Sequence, residues 1–278
     1  EPAMRYLSGE LPRPVRTRYE TLPMQAFQDT QAKLARKELG VPSHFILPYF
    51  DTNIGNIIKN QGSMNHYQSY QMQMITKPGD VVIDVGANLG CYTLALAEAV
   101  GPSGVVISFE PFRWMHQLLT ANVAANGLTN VWTVQAGLGR AREILSLYPP
   151  QLRFFSSPGG VKVENQTSEV ERRPFMESFQ LYDLKQAREP VRVLPLDDLL
   201  LSDDGLWWGL PTPLDSIRLM KIDVEGMETA VVEGAAEVIR RYRPIIWSEN
   251  NAYFDSDGKD TGFLQALAHL GYFCSRAE

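Results

Sequence analysis

From Lys77 onward the apolar positions of the chain switch between two periods. Val81 to Val85 is a short β-branched run that ends in a glycine-containing loop, and Leu89 to Val100 follows with helical spacing, closed by Gly101 and Pro102. Val105 to Phe109 is a second buried run. Trp114, Leu118, Leu119 and Val123 recur at helical spacing up to Gly127, and Val131 to Val134 is a third run. Strand, helix, strand, helix, strand is the pattern of a parallel sheet, because parallel neighbours need a long return connection and a helix is the compact one. The pattern predicts an α/β fold with a doubly wound sheet.

Beyond this half the pattern is less even. Arg142 to Tyr148 reads as one more strand, and from Pro149 to Pro190 no period is visible. An irregular stretch of that length inside a compact domain is more often a functional element than core, so 149–190 is read as an insertion serving as a substrate lid. The period returns with strands at Val191 to Leu194 and Ile217 to Val224, a helix at Glu228 to Tyr242, a strand at Pro244 to Trp247 and a helix at Phe263 to Leu270. Gly271 ends that helix, and a short final strand is expected after it. Before Lys77 the chain differs. Pro12, Pro14 and Pro23 precede an expected helix from Gln25 to Leu39, followed by apolar pieces at Phe45 to Leu47 and Ile54 to Ile58. Residues 1–77 are expected to form an N-terminal cap on a ligand-binding domain spanning 78–278.

Composition narrows the classes. A length of 278 residues suits one large α/β domain with an appendage. A net charge of −6 argues against a general nucleic-acid binder, which needs an excess of Lys and Arg to track phosphates. Cys91 and Cys274 are too few for a disulfide framework and have no zinc-like spacing, so two free thiols in a reducing compartment are expected. No run of eighteen apolar residues and no signal-peptide pattern is present, which predicts a cytoplasmic protein without a membrane partner.

The candidate chemistry starts at Asp84-Val85-Gly86-Ala87-Asn88-Leu89-Gly90, which leaves the first strand and opens a helix. Glycines let the backbone turn sharply and approach a ligand, and helix N-terminal N–H groups favour a polar or anionic group. Glu110 ends the second strand, where a carboxylate accepts hydrogen bonds from ribose hydroxyls. A dinucleotide fingerprint needs glycine at the first, third and sixth loop positions. Here Asn88 stands where the middle glycine belongs, and Gly90 comes too early. The arrangement Asp-x-Gly-x-x-x-Gly instead resembles the S-adenosylmethionine loop of methyltransferases, in which an acid such as Asp84 lies near the ammonium group of the cofactor.

Three blocks together resemble the FkbM family of methyltransferases: Pro78 to Gly90, Phe109-Glu110-Pro111, and Lys221-Ile222-Asp223-Val224-Glu225-Gly226-Met227-Glu228. The third is the specific one. Leu196-Asp197-Asp198-Leu199, Glu249-Asn250 and Gly271-Tyr272 also look like family positions. The resemblance implies a class I methyltransferase fold, Rossmann-like, with seven strands of which one is antiparallel. It implies S-adenosylmethionine as cofactor and methylation of an oxygen on a sugar, glycan or natural-product small molecule. The expected cofactor contacts are Asp84, Gly86, Ala87, Asn88 and Gly90 in the loop, Glu110 and Pro111 after the second strand, and Gly137.

With the sheet order of that family, Asp223 and Glu249 end neighbouring strands and flank the place where the methyl group points. Asp223 is the expected base, and Glu225 its supporter or a loop residue favourable to a helix N-terminus. Glu228 reads as structural. Lys221, two residues before Asp223, faces the same side and is expected to pair with one of these acids. Asp223 and Glu249 as ligands of a divalent metal ion is the less favoured option, since two carboxylates are thin support for it. His66 is a minor candidate for the cofactor edge, and Asp197 and Asp198 are expected to tie a loop. Two other functions stay open: a nucleotide-dependent oxidoreductase and a non-catalytic nucleoside-binding module.

Overall fold

The computed structural model describes residues 45–47, 58, 66–147, 188–248 and 261–273. Helix α1 (His66–Ile75) leads into β1 (Val81–Val85), α2 (Cys91–Val100), β2 (Val105–Phe109), α3 (Arg113–Ala125) and β3 (Val131–Val134). Three strands follow, β4 (Gly137–Leu138), β5 (Glu143–Leu147) and β6 (Glu189–Leu194), then the short helices α4 (Leu196–Leu201) and α5 (Asp204–Trp207). β7 (Leu219–Ile222), α6 (Glu228–Gly234), α7 (Ala236–Tyr242), β8 (Ile245–Ser248) and α8 (Thr261–His269) complete the described chain.

Five strands form one sheet in the order β3-β2-β1-β7-β8, and every neighbouring pair is parallel. The chain winds outward from β1 to β3, then crosses back to build β7 and β8 on the other side. The order therefore reverses between β1 and β7, and sheets of this kind take their ligands beyond the carboxyl ends of the strands at such a reversal. β1 and β7 are buried at every position, and apart from Asp84 and Lys221 every residue in them is apolar. Alternate side chains feed two cores. Ile83, Val85, Met220 and Ile222 meet Val231, Val238 and Phe263 on one face. Val82 and Leu219 meet Met72, Tyr92, Leu96 and Val100 on the other.

The strand expected at Arg142 to Tyr148 exists, but not in this sheet. β5 pairs antiparallel with β6, and β4 pairs parallel with β6, in a separate three-stranded sheet. Four of the five β5 positions are exposed or half-exposed, so the strand lacks the two apolar faces that a sheet covered by helices requires. Among the described residues the five-stranded sheet contains no antiparallel strand.

The helix expected from Glu228 to Tyr242 is two helices with a break at Ala235. A Cβ on Gly234 would lie 1.9 Å from the Gly139 carbonyl oxygen, so this residue is held by close backbone packing. The carboxylate of Asp197 then accepts the N–H groups of Glu237 (3.1 Å) and Val238 (2.8 Å), capping the second helix from outside. Asp197 and Asp198 sit in α4 rather than in a loop, and Asp198 takes Arg142 at 2.6 Å.

Of the N-terminal region, Phe45, Leu47 and Ile58 are buried in one cluster with Ala87, Leu89, Phe112 and Met115. Asn122 of α3 fastens this contact. Its Oδ1 accepts the Ile46 N–H at 2.5 Å, and its Nδ2 donates to the carbonyls of Ile46 (3.2 Å) and Leu89 (2.8 Å). The helix expected at Gln25 to Leu39, the stretch 148–187 and the final strand expected after Gly271 lie largely or wholly outside the described residues. The described residues that flank 148–187 are neighbours, since Leu147 and Glu189 are register partners.

Candidate active site

The loop after β1 turns through three left-handed residues, Gly86 (φ 78°), Asn88 (φ 54°) and Gly90 (φ 99°). The glycines answer to packing as well as to φ. A Cβ on Gly86 would sit 1.9 Å from the Asp223 carbonyl oxygen, and one on Gly90 would press on Leu94 and Leu119 at 2.8 and 2.9 Å. Asn88 tolerates its conformation as a short polar side chain does, with Oδ1 accepting the Leu89 N–H at 2.7 Å.

All five loop amides are engaged within the protein. Gly86 and Ala87 donate to the Phe109 carbonyl (3.0 and 2.9 Å), Asn88 to Glu110 Oε2 (2.9 Å), Leu89 to Asn88, and Gly90 to the Ala87 carbonyl (2.9 Å). The loop itself therefore offers none of its own amides to a phosphate. A diphosphate cradle depends on such free donors.

Glu110 lies at the end of β2, 5% exposed. Oε1 accepts the Phe112 N–H and Oε2 the Asn88 N–H, both at 2.9 Å. Burial lifts its carboxyl from 4.5 to about 7, against the backbone bonds from Phe112 and Asn88 and the charge of Lys221. Each oxygen keeps a second lone-pair direction, which is what a ribose diol needs. Pro111 follows, and Gly137 in β4 lies close to it, since a Cβ there would meet Pro111 Cβ at 3.6 Å.

Asp84 takes a place different from the one its position at the loop suggested. It is fully buried in β1, where Thr93 donates to Oδ2 at 2.6 Å, and the Thr93 and Ser108 hydroxyls are 3.0 Å apart. Its other oxygen meets Lys221 Nζ at 3.2 Å across the strand pair. Lys221 is 3% exposed and also lies 3.6 Å from Asp223 Oδ2, with the Tyr92 ring centroid at 5.1 Å. Burial works against the lysine charge, but the carboxylates of Asp84 and Asp223 outweigh it and hold its pKa above the ordinary lysine value. The pairing expected for Lys221 with a strand-end acid is present at Asp223. The stronger partner, Asp84, was hidden because strand register is not written in local sequence.

Asp223 follows the last residue of β7. Its N–H donates to the Val85 carbonyl at 3.1 Å, and its side chain is 27% exposed, unlike Asp84. Glu225 is a left-handed, half-buried residue (φ 54°) followed by Gly226 (φ 103°). Glu228 staples this turn by accepting the N–H groups of Gly226 (3.0 Å) and Val224 (3.3 Å), the structural role its position suggested. Burial raises its carboxyl above the usual range despite these bonds. Glu249 lies outside the described residues, and His66 is placed only as the first residue of α1. Among the described residues no three His, Cys, Asp or Glu side chains are grouped to hold a metal ion, and no helix is long and apolar enough to cross a membrane.

The site thus gathers Glu110, Asp84 and Asp223 around one lysine, next to a loop with no free amide. It fits a cofactor that carries ribose hydroxyls and positive charge, as S-adenosylmethionine does. The fold and the loop after β1 are of the class found in S-adenosylmethionine-dependent methyltransferases. The family model for the methyltransferase FkbM domain matches residues 84–274, and the chain belongs to that family. A model for protein-L-isoaspartate(D-aspartate) O-methyltransferases matches residues 22–141. Methyltransferase 1 of Beauveria bassiana (strain ARSEF 2860) is 29% identical over 154 residues, covering 55% of this chain and 57% of that protein. Methyltransferase sdnD of Sordaria araneosa is 28% identical over 165 residues, covering 56% and 60%. The aligned part is thus less than two thirds of either relative. A solved FkbM methyltransferase from Methylobacillus flagellatus KT is 17% identical, with a TM-score of 0.41, over 70% of this chain and 37% of that one.

Proposed function

We propose that the chain methylates a hydroxyl oxygen on a sugar, a glycan or a natural-product small molecule, with Asp223 as the base. The observation that carries this reading is the contrast between two acids on one lysine. Asp84 is sealed in the sheet, while Asp223 is partly open at the strand end and in backbone contact with Gly86. When bound, S-adenosylmethionine supplies an electrophilic methyl carbon with a neutral thioether as leaving group. Glu110 would hold the cofactor by accepting its ribose hydroxyls. The Asp223 carboxylate takes the proton of the attacking hydroxyl, which a poor nucleophile must lose as the new C–O bond forms. Holding cofactor and acceptor in place would supply the rest of the acceleration. Glu249 is the expected second acid at this rim. The isoaspartate family that matches the cofactor half acts on oxygen by its name, which supports the same atom type here.

Acceptor selectivity is assigned to the insertion 149–190 and the N-terminal cap. In support, Glu189 near the end of that insertion accepts the N–H of Arg113, three residues after Glu110, at 2.8 Å. The test is transfer of an isotope-labelled methyl group from S-adenosylmethionine to a panel of glycans and hydroxylated small molecules, followed by mass spectrometry of the product. Label on oxygen is the expected result. Tight cofactor binding without transfer to any acceptor would favour the non-catalytic module. Binding of NAD in preference to S-adenosylmethionine would favour an oxidoreductase, against which the engaged loop amides already argue.

A further inference from the structure

We propose that Lys221 is a positioning residue that clamps the cofactor loop to Asp223, holding the cofactor-binding side and the acceptor side of the site at a fixed separation. The inference rests on the reading of this site as the S-adenosylmethionine site and deepens it. The Lys221 ammonium donates to the Gly86 carbonyl at 2.8 Å and to the Val85 carbonyl at 3.4 Å, the two residues with which the loop leaves β1. The same ammonium faces Asp84 at 3.2 Å and Asp223 at 3.6 Å. One buried cation is thus shared between a sealed counter-ion, two loop carbonyls and the half-open acid.

The backbone makes the geometry tight. The Asp223 N–H is bonded to Val85, and the Asp223 carbonyl fills the space beside Gly86 where a side chain would be. A shift of the loop therefore moves Asp223, and the lysine resists both. Asp84 alone accounts for a buried lysine by charge. It does not account for the aim of the ammonium at the Gly86 carbonyl, which is the shortest of its contacts. A structural ion pair and a clamp differ in what happens when both charges are removed together.

The deciding variant is the double substitution Asp84→Asn with Lys221→Met, compared with Lys221→Met alone and with the unaltered chain. Lys221→Met strands a buried carboxylate and should lower Tm strongly, whereas removing both charges is close to neutral for folding, so the double variant folds. Three readouts are taken: Tm, calorimetric affinity for S-adenosylmethionine and S-adenosylhomocysteine, and hydrogen exchange of the amides from Gly86 to Asn88. The clamp predicts that the double variant recovers most of the Tm. It also predicts that both affinities stay about tenfold weaker and that loop exchange stays fast, because the Gly86 carbonyl has lost its donor. Recovery of affinity and loop protection together with Tm would overturn the clamp and leave a structural ion pair. Failure of the unaltered chain to bind either cofactor form would overturn the cofactor reading and the clamp with it.

Discussion

Asp84 and Lys221 are register partners on adjacent parallel strands, and their charged groups meet 3.2 Å apart where solvent does not reach. Thr93 and Ser108 complete the row on the Asp84 side, and Asp223 continues it toward the rim. A charge at a covered sheet position is costly unless it is paired, so each member of this row depends on the others.

Asp84→Asn should therefore destabilise the fold by about 3–5 kcal/mol, the cost of breaking one partner out of a buried pair. As a contacting counter-charge Lys221 would keep only Asp223, farther away and partly open to water. Urea denaturation of the single variant measures it, and a loss within a few tenths of a kcal/mol of zero would mean that Lys221 is satisfied by the loop carbonyls alone.

Gly86→Ala should lower both stability and cofactor affinity. Its φ of 78° is unfavourable for a side chain, and the new Cβ would fall 1.9 Å from the Asp223 carbonyl oxygen, so the loop or the β7 end must move. A loss of about 1–3 kcal/mol in stability is expected. Normal Tm and normal binding would show that the loop relaxes freely, against the rigid contact described above.

Glu110 makes cofactor binding depend on pH. Its carboxyl titrates at about 7 in the folded chain and at 4.5 as an ordinary glutamate. Between these values the folded chain holds a proton that the unfolded chain has released. The Glu110 contribution to stability is therefore most favourable below 4.5 and is lost as pH rises through about 7. Cofactor affinity should run the other way, because ribose hydroxyls donate to the ionised carboxylate. Calorimetric titration across this window should give tighter binding of S-adenosylmethionine at the alkaline end, and Glu110→Gln should weaken binding and flatten the slope. An unchanged slope in the variant would remove Glu110 from the ribose site.

Asp223→Asn should cut kcat by about 10²–10⁴-fold while leaving cofactor affinity nearly intact, as expected for a positioned base. Tm is measured on the same protein, because Asp223 is also a partner of Lys221. With Asp84 still paired to the lysine, stability should fall little. A large drop in Tm with a proportionate drop in activity would assign Asp223 to structure, and full activity would exclude it as the base.

The limits of the first strands were readable in sequence where β-branched and aromatic residues cluster. Val81 to Val85, Val105 to Phe109 and Val131 to Val134 have the same limits in sequence pattern and in structure. The loop glycines and Glu110 were also visible, since a turn through φ above zero and an acid at a strand end leave local marks. What local pattern does not carry is the relation between distant segments. Glu228 to Tyr242 has one continuous helical period, yet Gly139 and Asp197 divide it from outside. Arg142 to Tyr148 has strand propensity, but which sheet it joins depends on its partner, β6. Asp84 looked like a loop acid free for the cofactor because nothing near it in sequence reveals the lysine 137 positions later that the parallel register sets opposite it. Strand and turn formation follow from side chains a few residues apart, whereas the pairing of buried charges is a property of register, which exists only once the sheet has closed.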